Sequence, residues 1–140
     1  AGMPISFQIL PRRGLVYVRY AGHISFSETA QAFGAYMQHP DMRRGQKQLI
    51  DLAAVTDWDR DFAELLRLQA IKADAFLGAG HEVHFVYYAP TARTLPMARM
   101  VLRSWEDVPG VIPLIAETEA DALEVLGQPE RTFDALLQRV

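Results

Sequence analysis

The sequence predicts an α/β domain in which about five strands form a mixed β-sheet packed with four to five helices. Two short apolar strands come first, and Pro11 and Gly14 between them favour a tight turn, so the chain should start with a β-hairpin. Beyond the hairpin, segments with helical periodicity alternate with short apolar runs. The 140 residues, of which half are hydrophobic, suit one ordinary domain over 1–140.

The first elements are the hairpin and an amphipathic helix. Strands are predicted over 5–10 and 15–22. The helix is capped by Ser25 or Ser27 and runs to about 38, where Pro40 prevents its continuation. Its apolar residues recur at helical spacing: Phe26, Ala30, Phe33 and Met37.

The middle of the chain predicts a strand, a long helix and a second strand. The run 49–52 is too short for a helix and suits a buried strand. A helix over 61–77 follows, ended by Gly78 and Gly80, with an apolar stripe formed by Phe62, Leu65, Leu66, Ala73 and Phe76. The run 83–89 is apolar almost throughout, which is typical of a central strand covered on both faces.

The last part predicts a helix, an edge strand and two short helices. A helix over 92–106 buries one stripe, made of Leu95, Ala98, Leu102 and Trp105. The strand over 111–116 contains Pro113, which cannot donate to a ladder and therefore favours an edge or a bulge. Thr118 caps a helix over 119–126, and a final helix covers 130–139. The later crossovers should be right-handed.

Composition limits the class of protein and its partners. The chain has no cysteine, which excludes disulfides and thiolate chemistry, and it fits a cytoplasmic protein. A formal net charge of -3 without a basic cluster argues against nucleic acid as a partner. No stretch approaches the ~20 apolar residues of a membrane span. Ala1 and Gly2 before Met3 resemble a vector-derived addition.

Aspartates supply the most chemical-looking residues. Asp51, Asp57 and Asp59, with Asp61, stand at and just beyond a predicted strand end, where α/β sheets commonly bind ligands. Together they could hold Mg²⁺ or accept a phosphoryl group. In the alternative interpretation, Asp59 or Asp61 caps the next helix and the others are solvated. A phospho-receiver is excluded, since Pro11 and Glu117 stand where its acids and lysine would be.

Other chemistry finds no support in the sequence. His81 and His84 are three apart on a strand, which points their rings to opposite faces, so no metal site is expected. No serine occupies a nucleophile elbow, and the glycines form no phosphate-binding loop. We therefore expect no cofactor and a function other than catalysis.

Two helices carry apolar residues outside their predicted core stripes. Leu68, Ile71 and Ala75 form a second stripe on the long helix. On the next helix, Met97 and Met100 stand among three arginines, Arg93, Arg99 and Arg103. Methionine is frequent at adaptable binding surfaces. These residues indicate either a contact surface or helices wedged internally with both stripes buried.

The order of these elements and several local runs resemble the SpoIIAA-like branch of the STAS fold. The resemblance lies in the runs 15–18 and 22–25, in 49–52 with Val55 and Thr56, in Ala89-Pro90 with 97–100, and in 118–123. It covers nearly the whole chain. It implies a non-enzymatic domain of mixed sheet and helices, with relatives linked to anti-sigma-factor antagonism, protein interaction, or binding of apolar molecules and membranes.

The resemblance breaks at the regulatory turn. Partner-switching members carry a phosphorylatable serine in an Asp-Ser-x-Gly-like turn, and here that turn begins at Asp59-Arg60 and contains neither serine nor glycine. Thr56 offers a hydroxyl group in place of the missing serine. In the alternative interpretation its role is structural, as is usual for a threonine that ends a strand.

Three hypotheses follow. The first is a STAS-like binding module, which we expect to be a homo-oligomer or to dock on a protein, with Leu68, Ile71, Met97 and Met100 as apolar contacts and Arg93 or Arg99 as polar ones. The second is a carrier of small apolar or lipid-like molecules, with its pocket between the helices and the sheet. One variant of this second hypothesis places the carrier at a membrane surface. The third and weakest is a metal or phosphoryl site at Asp51, Asp57 and Asp59.

Overall fold

The computed structural model describes residues 4–76 and 82–138. Ala1 and Gly2, the predicted helix terminators Gly78 and Gly80, and His81 lie outside the described residues. The described ranges contain five strands and five α-helices: two strands form an N-terminal hairpin, helices and strands alternate after it, and the last two helices follow each other directly. The α/β class and the mixed five-stranded sheet predicted from the sequence are therefore confirmed.

The strands lie in the sheet in the order of the chain. They are β1 (Ile5–Leu10), β2 (Leu15–Ile24), β3 (Lys47–Trp58), β4 (Val83–Tyr88) and β5 (Val111–Ala116). β1 pairs antiparallel with β2 across a 3₁₀ turn, where Gly14 adopts a positive φ of 58° that an L side chain rarely takes. The other three pairings are parallel. Pro113 lies in an edge strand, as predicted.

The helices divide between the two faces of the sheet. They are α1 (Phe26–Met37), α2 (Phe62–Phe76), α3 (Leu95–Ser104), α4 (Glu119–Val125) and α5 (Phe133–Gln138). Each of the crossovers through α1, α2 and α3 leads to the neighbouring parallel strand in the same direction across the sheet. Crossovers that share one handedness therefore place all three helices on the same face. That side, which we call the cavity face, has its own apolar core. A separate core forms on the second face, beneath α4 and α5.

Several boundaries differ from the prediction. β3 covers twelve residues instead of four, because the long β2 pairs with it as far as Ile24 and Trp58 and supplies ladder partners to a weakly patterned stretch. α3 begins at Leu95 rather than at 92, because Thr91 and Thr94 exchange side-chain and backbone hydrogen bonds in a turn. Ser25 caps α1 in a capping box with Glu28, and Thr118 caps α4.

One bidentate ion pair joins the hairpin turn to the second face. The Arg13 guanidinium donates to both carboxylate oxygens of Glu130, at 2.6 and 2.9 Å, and Glu130 is almost fully buried. A buried carboxylate stripped of such a partner is costly. The pair therefore fixes the segment between α4 and α5 against the start of β2.

Replacing Arg13 with methionine is expected to lower Tm by several degrees, because the buried Glu130 carboxylate loses its bidentate donor. Arg12→Met is the matched control, since Arg12 stands in the same turn and is exposed. Thermal unfolding followed by circular dichroism compares the two variants. Equal Tm values would show that the ion pair adds nothing to stability.

Candidate ligand-binding cavity

A cavity of about 80 Å³ lies between the cavity face of the sheet and helices α1, α2 and α3. Its walls are mainly apolar and rich in aromatic rings, with contributions from β1, β2, β3 and β4 as well as the three helices. The aromatic side chains of the wall are Phe7, Tyr20, Phe26, Phe33, Tyr36, Trp58, Phe85 and Tyr87. Such a wall suits a small organic molecule whose body is apolar.

Strand periodicity accounts for the sheet side of the wall. Alternate residues of a strand point to one face, and β2 contributes Val16, Val18 and Tyr20 while β3 contributes Gln48, Ile50 and Leu52. The intervening residues Tyr17 and Leu49 belong to the core of the second face. A shift of one residue in either strand would thus remove the wall.

Helical periodicity supplies the other side. α2 lines the cavity with Leu65, Gln69 and Lys72, spaced by four and three residues. α3 adds Met97, Met100 and Val101, which also share one helical face. The wall on α2 therefore becomes polar toward its C-terminal half, where an amide and an amine replace leucine.

Lys72 is the one charged side chain among the described residues of the wall. No described carboxylate forms an ion pair with it. Desolvation alone lowers the pKa of Lys72 to about 8. At pH 7 the cavity thus holds a largely protonated ammonium in apolar surroundings.

The phenols of the wall stay neutral at the same pH. Burial raises the pKa of Tyr20 to about 12, and burial also raises the pKa of Tyr87 and of Tyr36. The Tyr87 hydroxyl accepts a hydrogen bond from Trp105 Nε1 at 2.9 Å. Since the phenols stay protonated, they offer hydroxyl groups without adding negative charge beside Lys72.

The contact surface predicted on α2 and α3 does not form as one exposed stripe. Leu68 is 7% exposed and Met97 is 4% exposed, so both belong to the core of the cavity face. For these two residues the internal-packing alternative is correct, because α2 and α3 pack against each other and their buried residues join the core of the cavity face. Ile71, at 60% exposure, faces solvent, and so do Arg93 and Arg99.

Two of the predicted binding residues line the cavity instead. Met97 and Met100 are part of its wall.

The predicted core stripe of α2 was wrong at Leu66, which is 44% exposed, while Leu65 and Leu68 are buried. Stripes read from sequence are easily misplaced by one position, and a shift of that size turns a core residue outward.

The acidic residues do not gather into one site. Asp51 lies within β3, where its Oδ2 accepts a hydrogen bond from the Tyr17 hydroxyl and its Oδ1 accepts the Ala53 amide. Asp57 and Asp59 lie six and eight residues further on, with Asp57 paired to Arg60 at 2.8 Å. Thr56 is exposed near the end of β3.

The aspartates near the end of β3 and the start of α2 have structural partners. Asp59 Oδ2 accepts the amide of Phe26 at the start of α1, and Asp61 Oδ1 accepts the amide of Glu64 at the start of α2. His23 Nδ1 lies 3.7 Å from Asp57 Oδ2, and His23 Nε2 lies 3.4 Å from Asp59 Oδ1. Within the described ranges, no group of three or more histidine and carboxylate side chains could hold a metal ion.

The described cavity wall contains polar side chains that the sequence analysis missed: Tyr20, Thr29, Tyr36, Gln48, Gln69, Lys72 and Tyr87. A signal for two of them exists, because Gln69 and Lys72 continue the spacing of Leu65 along a buried helix face. Polar residues inside an apolar stripe mark either an internal hydrogen bond or a ligand. The tyrosines give no comparable signal, since aromatic residues are ordinary in buried strands.

No family model and no curated protein matches the chain. In the part of the chain that the structure describes, no helix combines the length and the apolar character needed to cross a membrane.

Proposed function

We propose that this domain binds a small, largely apolar molecule in the cavity between the sheet and helices α1, α2 and α3. The observation that supports the proposal is the cavity itself, about 80 Å³ in volume and lined mostly by aliphatic and aromatic side chains. An unfilled space of this size costs packing energy. We expect a domain that had no use for such a space to fill it with larger side chains. From the order of strands and helices, which resembles that of the SpoIIAA-like family, we also propose that the chain is related to this family.

Geometry favours this hypothesis over a docking surface on α2 and α3. Two of the four apolar contacts expected there, Leu68 and Met97, are buried, and Met97 faces the cavity. The remaining exposed apolar contact expected there is Ile71, and single exposed apolar residues are normal on soluble proteins. A bound molecule would instead contact residues from seven elements of the fold.

Filling the cavity should abolish binding. Ala32 packs on the core and lines the cavity from α1, so Ala32→Phe should place a ring in the ligand space. The probe is 1-octanol, an uncharged ligand for which we expect a dissociation constant on the order of 100 μM from its size. Isothermal titration calorimetry should detect binding to the wild-type protein and none to the variant.

Ala30→Phe is the matched control, because Ala30 lies on the same helix but is exposed. It should bind 1-octanol with wild-type affinity, and circular dichroism should show both variants folded. Undiminished binding to a folded Ala32→Phe variant would contradict this site. Absence of binding to the wild-type protein would contradict the proposed function for ligands of this size.

A further inference from the structure

We propose that the ligand of this cavity is a hydroxy acid with an apolar body, whose acid group pairs with Lys72 and whose hydroxyl group donates to Gln69. This inference rests on the proposed function and deepens it by naming the ligand class. The two side chains lie one turn apart on α2 and both line the cavity.

Lys72 carries the argument for an acid. It lines an apolar wall in which the described residues include no carboxylate, and no described carboxylate pairs with it elsewhere. The other titratable groups of the described wall are the phenols of Tyr20, Tyr36 and Tyr87, from β2, α1 and β4, and they remain uncharged. A ligand anion would supply the missing countercharge and gain a charge-assisted hydrogen bond.

Gln69 carries the argument for a hydroxyl group. The side chain is 1% exposed, and its Oε1 has no hydrogen-bond partner among the described residues. Its Nε2 donates to Ser104 Oγ at 2.9 Å. Buried polar atoms without a partner are rare in folded proteins, and each one has a cost of about 1–3 kcal/mol.

The orientation of the Gln69 amide follows from Ser104. The Ser104 hydroxyl gives its single proton to the Val101 carbonyl, so it can only accept from Gln69. Turning the amide over would place Oε1 against Ser104 Oγ, which could donate to it only by giving up its hydrogen bond to the Val101 carbonyl. The amide oxygen is thus the end of Gln69 that lacks a partner, and Gln69 belongs to the cavity wall. We infer that a ligand hydroxyl donates to this oxygen.

Cavity volume bounds the size of the ligand. A space of about 80 Å³ holds roughly six waters, since one water needs about 10–15 Å³ measured in this way. Six waters displace about 180 Å³ of liquid, which is roughly the volume of a six-carbon chain, so we choose an eight-carbon chain as a probe that fills the space completely. Octanoate, 3-hydroxyoctanoate and 1-octanol thus form a matched series in which the chain is constant and only the polar groups change.

Titration calorimetry at pH 7 tests the inference with this series. We expect octanoate to bind about tenfold more tightly than 1-octanol, and 3-hydroxyoctanoate about fivefold more tightly than octanoate. Lys72→Met should remove the preference for the acid. Gln69→Met should remove the preference for the hydroxy acid while leaving the preference for octanoate over 1-octanol, a pattern that loss of packing alone would not give.

Arg67→Met is the control for charge, because Arg67 lies on α2 and is exposed. It should retain both preferences. Equal affinities for octanoate and 1-octanol, or the same loss in Arg67→Met as in Lys72→Met, would overturn the acid assignment, and equal affinities for the two acids would overturn the hydroxyl assignment. Binding of 1-octanol that Ala32→Phe blocks would still support the proposed function in either case.

Discussion

Replacing Lys72 with methionine is expected to stabilise the protein by about 2 kcal/mol at pH 7 while it weakens the binding of octanoate. The pKa of Lys72 falls from its ordinary 10.5 to about 8 because the folded state desolvates the ammonium. A shift of that size corresponds to about 3 kcal/mol, which we reduce to about 2 because the side chain is only partly buried. A methionine of similar length fills the same space without this cost.

The sign of the pH dependence follows from proton binding in the two states. Below pH 8 Lys72 is protonated whether the chain is folded or unfolded, so the folded state carries the full desolvation cost. Between the folded pKa of about 8 and the unfolded pKa of 10.5, the unfolded state binds more protons, and the contribution of Lys72 to stability rises with pH. The difference between Lys72→Met and wild type should therefore shrink across this interval.

Urea unfolding of both proteins at intervals from pH 7 to 9.5 measures this difference. The raised pKa values of Tyr20 and Tyr87 act equally in the two proteins and cancel. Arg67→Met should leave the profile unchanged, because that side chain is exposed. A Lys72→Met variant that is less stable than wild type at pH 7 would mean that the ammonium is favourably paired in the folded protein.

Replacing Leu123 with alanine should destabilise the protein by about 3 kcal/mol without altering ligand affinity. Leu123 of α4 is fully buried in the core of the second face, beside Leu126 and Leu136. Truncation leaves a void beneath the two short helices of this face. The cavity has no wall residue from α4 or α5 among those described, so the loss should stay on one side of the sheet.

Urea unfolding gives the stability, and titration with octanoate at a temperature where the variant is folded gives the affinity. Val125→Ala is the matched control, because Val125 lies on the same helix and is half exposed, and its cost should stay under about 0.5 kcal/mol. A large drop in octanoate affinity in the folded Leu123→Ala variant would mean that the two faces are coupled through the sheet.

These two variants separate stability from binding in opposite directions. Lys72→Met should gain stability and lose affinity, whereas Leu123→Ala should lose stability and keep affinity. A side chain that lowers stability while it lines a cavity is the pattern expected of a functional group, since function often retains unfavourable charges. The contrast therefore tests whether Lys72 serves the ligand or the fold.

Local patterns were enough to predict much of the fold. The hairpin at Gly14 and the cap at Thr118 were predicted and are observed. For two other features the structure selects one of two predicted alternatives: Ser25 rather than Ser27 caps α1, and Pro113 lies in an edge strand. Each depends on the backbone preference or the hydrogen-bonding groups of one residue and its near neighbours, which the sequence states directly. The extent of β3 was not predictable in that way, because β2 supplies the ladder that lengthens it.

The sequence by itself determined the α/β class, the order of the elements and the absence of any thiol chemistry. Only the tertiary structure decided that Leu68 and Met97 lie inside, that Asp51 is separate from Asp57 and Asp59, and that Gln69 and Lys72 line a shared cavity. The physical reason is that helical periodicity defines a face but not what covers it. Which side of α2 meets the sheet, α1 and α3 depends on packing between residues far apart in the chain, and the polar groups of the cavity acquire their character from that packing alone.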